Sequence, residues 1–160
     1  MMRDELLNAL RDSRAQVEAA LSGLADARLT EPGALGEWSV KDILSHLTAC
    51  EAETVTVLAK VKRGLRPGKL PSGPAEVDAQ NAKWYKETRR RPLDRVLSDF
   101  RGVRAQMVKQ VESFSDADLA AQRAWLDNGT LGDLIKSETV EHEAEHLPHL
   151  LEWRRKVEGG

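Results

Sequence analysis

The chain has 160 residues, of which 41% are hydrophobic, and its 24 basic and 26 acidic side chains give it a formal net charge of -2. This length suffices for one domain with an apolar core and is too short to expect two, so residues 1–160 are predicted to form a single domain. The charge balance leaves no basic surplus to neutralise phosphates, which argues against nucleic acid as a partner.

Apolar residues in the first half of the chain recur at three- and four-residue spacings, which predicts two amphipathic helices. The first covers residues 2–24, and the glycines and proline of residues 30–36 predict a loop after it. Ser39 with Asp42 forms a capping-box pattern at the start of the second helix, which reaches about residue 63.

The second half of the chain begins with a long connection at residues 63–75, which contains three glycines and three prolines and shows no periodicity. A third helical region at residues 76–91 follows. Pro92 predicts a kink or a fresh helix start, after which an apolar stripe continues to about Phe114. The basic run that ends at Arg91 is interpreted as a solvated helix junction.

The last predicted helix starts after a short capped turn and a loop that includes Trp125. Thr130 with Asp133 is a second capping-box pattern, and the helix reaches about Val157. Pro148 lies within it and predicts a local bend, because proline removes a backbone donor.

Four long amphipathic segments without β-type alternation predict an all-α four-helix bundle. The long connection after the second helix allows a crossover topology. No internal repeat or low-complexity segment is apparent.

The sequence features that report on compartment favour the cytoplasm. A single cysteine, Cys50, excludes an intramolecular disulfide and is typical of a reducing environment. The chain is charged from Arg3 onward, lacks the apolar run of a signal peptide, and has no apolar run of the length that a membrane span needs. We expect a cytoplasmic protein without membrane contact.

Histidine placement is the strongest chemical signal in the sequence. His142 and His146 lie one helical turn apart, and His46 lies on the inner face of the second helix. Together they predict a three-nitrogen site for a divalent metal, with zinc, nickel and iron as candidates. Two alternatives stay open, in which His149 pairs with His146 or Cys50 supplies a ligand. The glutamates near these positions are candidate hydrogen-bond acceptors or proton-transfer bases: Glu53, Glu138, Glu141 and Glu145.

Two runs of residues resemble the DinB/YfiT-like superfamily of four-helix proteins. They are Glu37-Trp-Ser-Val-Lys-Asp-Ile-Leu-Ser-His46-Leu and His142-Glu-Ala-Glu-His146-Leu-Pro-His-Leu-Leu-Glu-Trp-Arg154. The resemblance implies an up-down-down-up bundle with a crossover, a divalent metal held by His46, His142 and His146, and homodimers. It also implies that Asn81 lies near the cavity and binds a cofactor or substrate there.

The resemblance implies small-molecule chemistry without fixing the reaction. Relatives include thiol-dependent transferases and isomerases, and the colibactin self-resistance branch is the most similar, although Cys50 stands where an aromatic residue is expected in that branch. We expect a metal-dependent enzyme of detoxification or stress response that acts on a small-molecule substrate. The enzyme would be a hydrolase or a thiol transferase, and a transferase would use a low-molecular-weight thiol as co-substrate. The alternatives are a non-catalytic metal- or small-molecule-binding protein and a purely structural bundle.

Overall fold

The structure is a computed structural model that describes residues 2–68 and 70–159. Most of these residues lie in helices. A π-helical turn, Ser137–Glu141, joins the last two helices into one continuous helical segment. In chain order the helices are α1 (Arg3–Leu21), α2 (Asp26–Thr30), α3 (Val40–Lys62), α4 (Gly73–Thr88), α5 (Leu93–Ser113), α6 (Asp116–Ala120), α7 (Leu131–Lys136) and α8 (His142–Gly159).

Side-chain caps fix where several of these helices begin. The Ser39 hydroxyl accepts a hydrogen bond from the backbone N–H of Asp42, whose carboxylate accepts one from the Ser39 N–H, so the predicted capping box at the start of α3 is confirmed. Thr130 caps α7 by accepting from the Asp133 N–H. These caps satisfy backbone donors that have no partner within the helix.

The segment between α6 and α7 forms a small hairpin rather than an irregular loop. Strands β1 (Gln122–Arg123) and β2 (Gly129–Thr130) pair antiparallel around a 3₁₀ turn, Ala124–Leu126. Asp127 and Asn128 have φ values of 52° and 65°, a left-handed conformation that Asp and Asn tolerate better than most residues. Strands this short leave no alternating pattern in the sequence, which explains why none was predicted.

The first apolar core cluster lies at one end of the bundle. It joins Leu6 and Leu10 near the start of α1 to Leu58 near the end of α3. Met107 near the end of α5 and Ile135 in α7 belong to the same cluster. The start of α1 and of the last helical segment therefore lie beside the ends of α3 and α5.

The second apolar cluster lies at the opposite end and fixes the topology. It joins Val17 in the second half of α1 to Ile43 near the start of α3, and includes Phe100 of α5 and Leu150 of α8. The two clusters together require α1 to run up, α3 and α5 to run down, and the last segment to run up. The predicted all-α bundle with a crossover is confirmed, and α4 provides the crossover between α3 and α5.

The boundaries of α4 differ from those predicted. The helix begins at Gly73 rather than near residue 76, because Pro74 occupies the first helical turn, where its missing N–H costs nothing. The helix ends at Thr88, so the arginines that follow lie in a turn before α5. No helix within residues 2–68 and 70–159 combines the length and apolarity that crossing a membrane would take.

A buried layer of charged side chains separates the two apolar clusters. Each long helix of the bundle contributes one residue to it: Arg14 from α1, Glu51 from α3, Arg104 from α5 and Glu143 from α8. Their relative exposures are 9%, 2%, 6% and 2% in that order. The two arginines and two glutamates balance in charge.

Hydrogen bonds connect this charged layer from side to side. Arg14 donates to Glu143 at 2.8 Å and to Glu51 at 3.1 Å. Arg104 donates to Glu51 at 2.6 Å and to Glu143 at 2.8 Å. The remaining donors reach backbone, Arg14 to the carbonyl of Phe100 at 2.7 Å and Arg104 to that of Leu10 at 2.8 Å. Every buried charge thus has an opposite partner, which buried ion pairs require to be tolerated.

We predict that Arg104→Met lowers the free energy of unfolding by about 3–5 kcal/mol, because it leaves two buried carboxylates sharing one guanidinium. Arg101→Met is the matched control on the same helix. Arg101 pairs with Glu18 at 3.0 Å but its side chain is 58% exposed, so its loss should cost less than about 1 kcal/mol. Urea denaturation measures both variants, and equal losses would contradict the role given to the buried layer.

Candidate metal centre

Histidines from α3 and α8 meet on the side of the bundle that faces α4. The Nε2 atoms of His46 and His142 are 2.9 Å apart. The ring centroid of His146 lies 5.4 Å from that of His46 and 5.0 Å from that of His142. The structure therefore brings together the three residues that the sequence predicted as metal ligands.

His149 lies at the edge of this group, next to one of its members. Its ring centroid is 5.5 Å from that of His146. The alternative pairing of His146 with His149 therefore remains geometrically accessible, although His46 and His142 are the residues in direct contact.

The donor set fits a divalent cation. In the part of the chain that the structure describes, the Nδ1 atoms of all four histidines are buried without a hydrogen-bond partner. The Nε2 atoms of His46 and His142 face each other at 2.9 Å, and two neutral ring nitrogens at this distance need a shared proton or a shared cation between them. Imidazole nitrogens suit zinc, nickel and iron, and an ion bound through the Nε2 atoms would leave the Nδ1 atoms to carry the ring protons.

The electrostatics of the site favour the form of histidine that binds metals. Burial, with the neighbouring imidazoles of His142 and His146, lowers the pKa of His46 to about 4. Burial and His146 likewise lower the pKa of His142 to about 4, and burial lowers that of His146. These rings are neutral at physiological pH, which leaves a lone pair free for coordination.

Two further side chains lie at ligand distance from the histidines. The Cys50 sulfur and one nitrogen each of His46 and His142 lie within 4.8 Å of one another. Donor atoms of His142, Glu145 and His146 form a second such set. His142 belongs to both sets and is therefore the central residue of the cluster.

The π turn immediately precedes the histidines of α8. Thr139 in this turn is buried, and its hydroxyl donates to the Ile135 carbonyl. Such turns occur often at functional sites, because the extra residue re-aims the side chains that follow. The sequence predicted an irregularity at Pro148, which α8 accommodates within its length, and gave no sign of the π turn before His142.

A cavity of about 290 Å³ adjoins the cluster on the side of Cys50. Asn81 and Trp84 of α4 form one wall, and Glu138 of the π turn lies opposite. Asn81 is one of the residues that line this cavity, and its binding role stays a prediction. Burial, with the nearby Glu53, raises the pKa of Glu138, and burial with Glu138 and Glu53 raises that of Cys50 to about 12.

Aromatic side chains bound the cluster on its other side. The ring of Trp38 lies 5.5 Å from that of His46 and stacks on Tyr85 of α4 at 5.6 Å with an interplanar angle of 8°. Lys41 donates to the carbonyls of Arg89 and Arg91 at 2.9 and 2.8 Å. These contacts attach the end of α4 to the start of α3 and so hold the wall of the cavity.

Two positioning residues were missed by the sequence reasoning. Glu143 and Glu51 of the buried charged layer are the chain neighbours of His142 and Cys50. The signal was present in the sequence, since Arg14 and Arg104 occupy core-facing positions of otherwise apolar helical stripes. The four candidate glutamates lie in different places. Glu53 and Glu138 line the cavity, and a carboxylate oxygen of Glu145 lies within 4.8 Å of donor nitrogens of His142 and His146. Glu141 is exposed and lies 3.4 Å from Lys136.

The bundle is the fold expected of the DinB/YfiT-like superfamily, and a family model confirms this assignment. The model of the mycothiol maleylpyruvate isomerase N-terminal domain matches residues 10–146, and the chain belongs to this family. No curated protein matches the sequence significantly.

Solved structures share the fold at low sequence identity. An uncharacterised protein from Escherichia coli UTI89 superposes with a TM-score of 0.86 at 21% identity, covering 98% of this chain and 95% of that one. The colibactin self-resistance protein ClbS, crystallised in complex with a double-stranded DNA, gives 0.84 at 18% identity with 96% of each chain covered. A Streptococcus pneumoniae protein gives 0.83 at 13% identity, covering 98% of this chain and 92% of that one.

The exclusion of nucleic acid as a partner was wrong. ClbS has this fold and was crystallised with DNA, so the fold is compatible with a DNA complex. The error has a physical reason, because net charge averages over the whole surface, whereas phosphates are bound by a local cluster of cations.

We predict that metal-free protein loses stability as the pH falls from about 6.5 towards 4. In that interval the unfolded state binds more protons than the folded state, whose His46 and His142 have pKa values of about 4. The double variant His46→Gln/His142→Gln should flatten this dependence. Urea unfolding across this pH range, with a chelator present, measures the free energy of unfolding of both proteins. Taking the difference between them cancels the opposite contribution of Glu138, which is present in both. Parallel curves would contradict the prediction.

Proposed function

We propose that this chain is a divalent-metal-dependent enzyme of small-molecule detoxification, in which His46, His142 and His146 hold the metal. The observation that carries the proposal is the convergence of neutral imidazoles, with the Nε2 atoms of His46 and His142 2.9 Å apart, next to Cys50, which lines a cavity of about 290 Å³. The family gives independent support, since its name refers to an isomerase that uses the thiol mycothiol. The proposed reaction is attack of a thiol or water on an electrophilic substrate.

A zinc, nickel or ferrous ion in this site would lower the pKa of a thiol or water and polarise the electrophile. The nitrogen donors suit each of these ions. A low-molecular-weight thiol is the proposed co-substrate for the transferase form of the reaction.

The cavity residues provide binding and proton transfer. The Asn81 amide offers both a donor and an acceptor to orient a polar substrate. Glu138 has a raised pKa, which brings its carboxyl closer to the value that a general acid or base needs near neutral pH. Trp84 and Val57 supply apolar wall that excludes water from the reacting groups.

The non-catalytic alternative differs from this proposal in a single observable. A protein that only binds a metal or sequesters a small molecule would retain the site but consume no electrophile.

A homodimer and a cytoplasmic location remain predictions, and analytical ultracentrifugation tests the first.

We predict that protein purified without an affinity tag contains about one transition-metal ion per chain by elemental analysis. His142→Ala should lose the ion, because His142 contacts His46 and belongs to both sets of potential ligands. His149→Ala is the matched control on the same helix and should retain it. A wild-type protein that takes up no zinc, nickel or ferrous iron would overturn the proposal.

We predict that Glu138→Gln lowers kcat/KM by about 10²–10⁴ for a thiol and electrophile pair on which the wild type is active, because the variant cannot transfer a proton. The metal content should be unchanged, since the substitution alters only a wall of the cavity. Thr56→Ala, an exposed site on α3, is the control for nonspecific effects. An unchanged kcat/KM would remove Glu138 from the mechanism.

We propose DNA as a second candidate partner, on the strength of the ClbS complex and of one surface feature. Arg89 and Arg90 are exposed in the turn after α4. Lys41 fixes the backbone of that turn through the carbonyls of Arg89 and Arg91. An ordered turn of exposed guanidinium groups suits phosphate contacts, which carry no sequence information themselves.

We predict that a double variant, Arg89→Ala/Arg90→Ala, weakens binding of double-stranded DNA and lowers the dependence of log K on log salt by about 2, one for each lost phosphate contact. Fluorescence anisotropy at several salt concentrations measures this slope. Arg101→Ala, which removes an exposed arginine paired with Glu18, should change it little. Wild-type protein that binds no DNA at low salt would eliminate this candidate.

A further inference from the structure

Cys50 lies one helical turn after His46 and faces the same side of α3. Its sulfur and one nitrogen each of His46 and His142 are mutually within 4.8 Å. The residue is only partly buried, and it also lines the 290 Å³ cavity. Cys50 is therefore placed between the histidine cluster and the space where a substrate would enter.

The separations suit a shared metal ion. With zinc-to-nitrogen distances near 2.0–2.1 Å and a zinc-to-sulfur distance near 2.3 Å, the donor atoms of a tetrahedral site are about 3.3–3.6 Å apart. The Nε2 atoms of His46 and His142, at 2.9 Å, are slightly closer than this, and the sulfur lies within 4.8 Å of both rings' donor nitrogens. Small side-chain rotations would bring these three atoms to coordinating positions, and His146 lies in the adjoining set with His142 and Glu145.

We propose that Cys50 is a fourth protein ligand of the metal, beside His46, His142 and His146. This inference rests on the proposed metal site. Metal binding then releases the thiol proton to solvent, and the sulfur contributes one negative charge to the site. A thiolate ligand favours zinc or iron over hard cations such as magnesium and manganese.

Coordination by Cys50 also changes what a substrate must do. Three protein ligands with an open position characterise catalytic zinc sites, whereas four protein ligands characterise closed ones. An external thiol or an electrophile would therefore have to compete with Cys50 for the ion or enter as a fifth ligand. Without substrate, the Cys50 side chain would occupy the coordination position that water would otherwise take.

Cobalt(II) titration of metal-free protein tests the proposal, and the sequence makes the result unambiguous. Because Cys50 is the only cysteine, a near-ultraviolet charge-transfer band from thiolate to cobalt can arise from this residue alone. We expect the band in the wild type and in His149→Ala. We expect its loss in Cys50→Ser, with cobalt still bound through the histidines and zinc affinity lowered by at least the roughly 10- to 100-fold typical of an outer-shell partner.

The outcomes separate this proposal from the function on which it rests. Cobalt bound without the band would overturn Cys50 as a ligand and leave the histidine site intact, whereas no uptake of cobalt or zinc would overturn both. Alkylation by iodoacetamide, followed by mass spectrometry, is a second measurement on unmodified wild type. Zinc should protect Cys50 in the wild type but not in His142→Ala, and equal alkylation with and without zinc would overturn the proposal.

Discussion

The buried layer formed by Arg14, Glu51, Arg104 and Glu143 is the constraint on which the rest of the bundle depends. Each charge comes from a different long helix, and each is hydrogen-bonded to opposite charges, so a shift of any helix along its axis would leave a charge unpaired in the core. Apolar clusters above and below tolerate sliding far better, because dispersion contacts are not directional. The layer therefore fixes the positions of the helices along their axes more than it stabilises the fold, because desolvation offsets much of the ion-pair energy.

The same layer positions the histidine cluster. Glu143 directly follows His142 and Glu51 directly follows Cys50, so each pair of side chains is about 100° apart around its helix. Holding the glutamates in the core therefore fixes the direction in which His142 and Cys50 point. The Nε2 atoms of His46 and His142 are held 2.9 Å apart with lowered pKa values that prevent both rings from becoming charged at neutral pH. Preorganisation of this kind limits the reorganisation that ligand binding requires to small side-chain rotations.

The sequence predicted those features that local chemistry decides. Ser39 and Thr130 indicate helix starts because their hydroxyls bond within three residues, and the apolar stripes determine the helical class. The pairing of Arg14 with Glu143 spans 129 positions and depends on helix packing that no local pattern encodes. The π turn was missed because Ser137–Glu141 contains no glycine or proline that would mark a break in the helix.

The wall of the cavity is formed largely by a helix with little buried surface. α4 contributes Asn81 and Trp84 to the cavity, but Thr88 is its buried residue, and the Trp38–Tyr85 stack attaches its far end. Changes on its cavity face would alter the shape and polarity of the binding space without disturbing the charged layer or the histidines. This separation allows one bundle to hold cavities of different shape and polarity, and the sulfur of Cys50 lies at the boundary between the two regions.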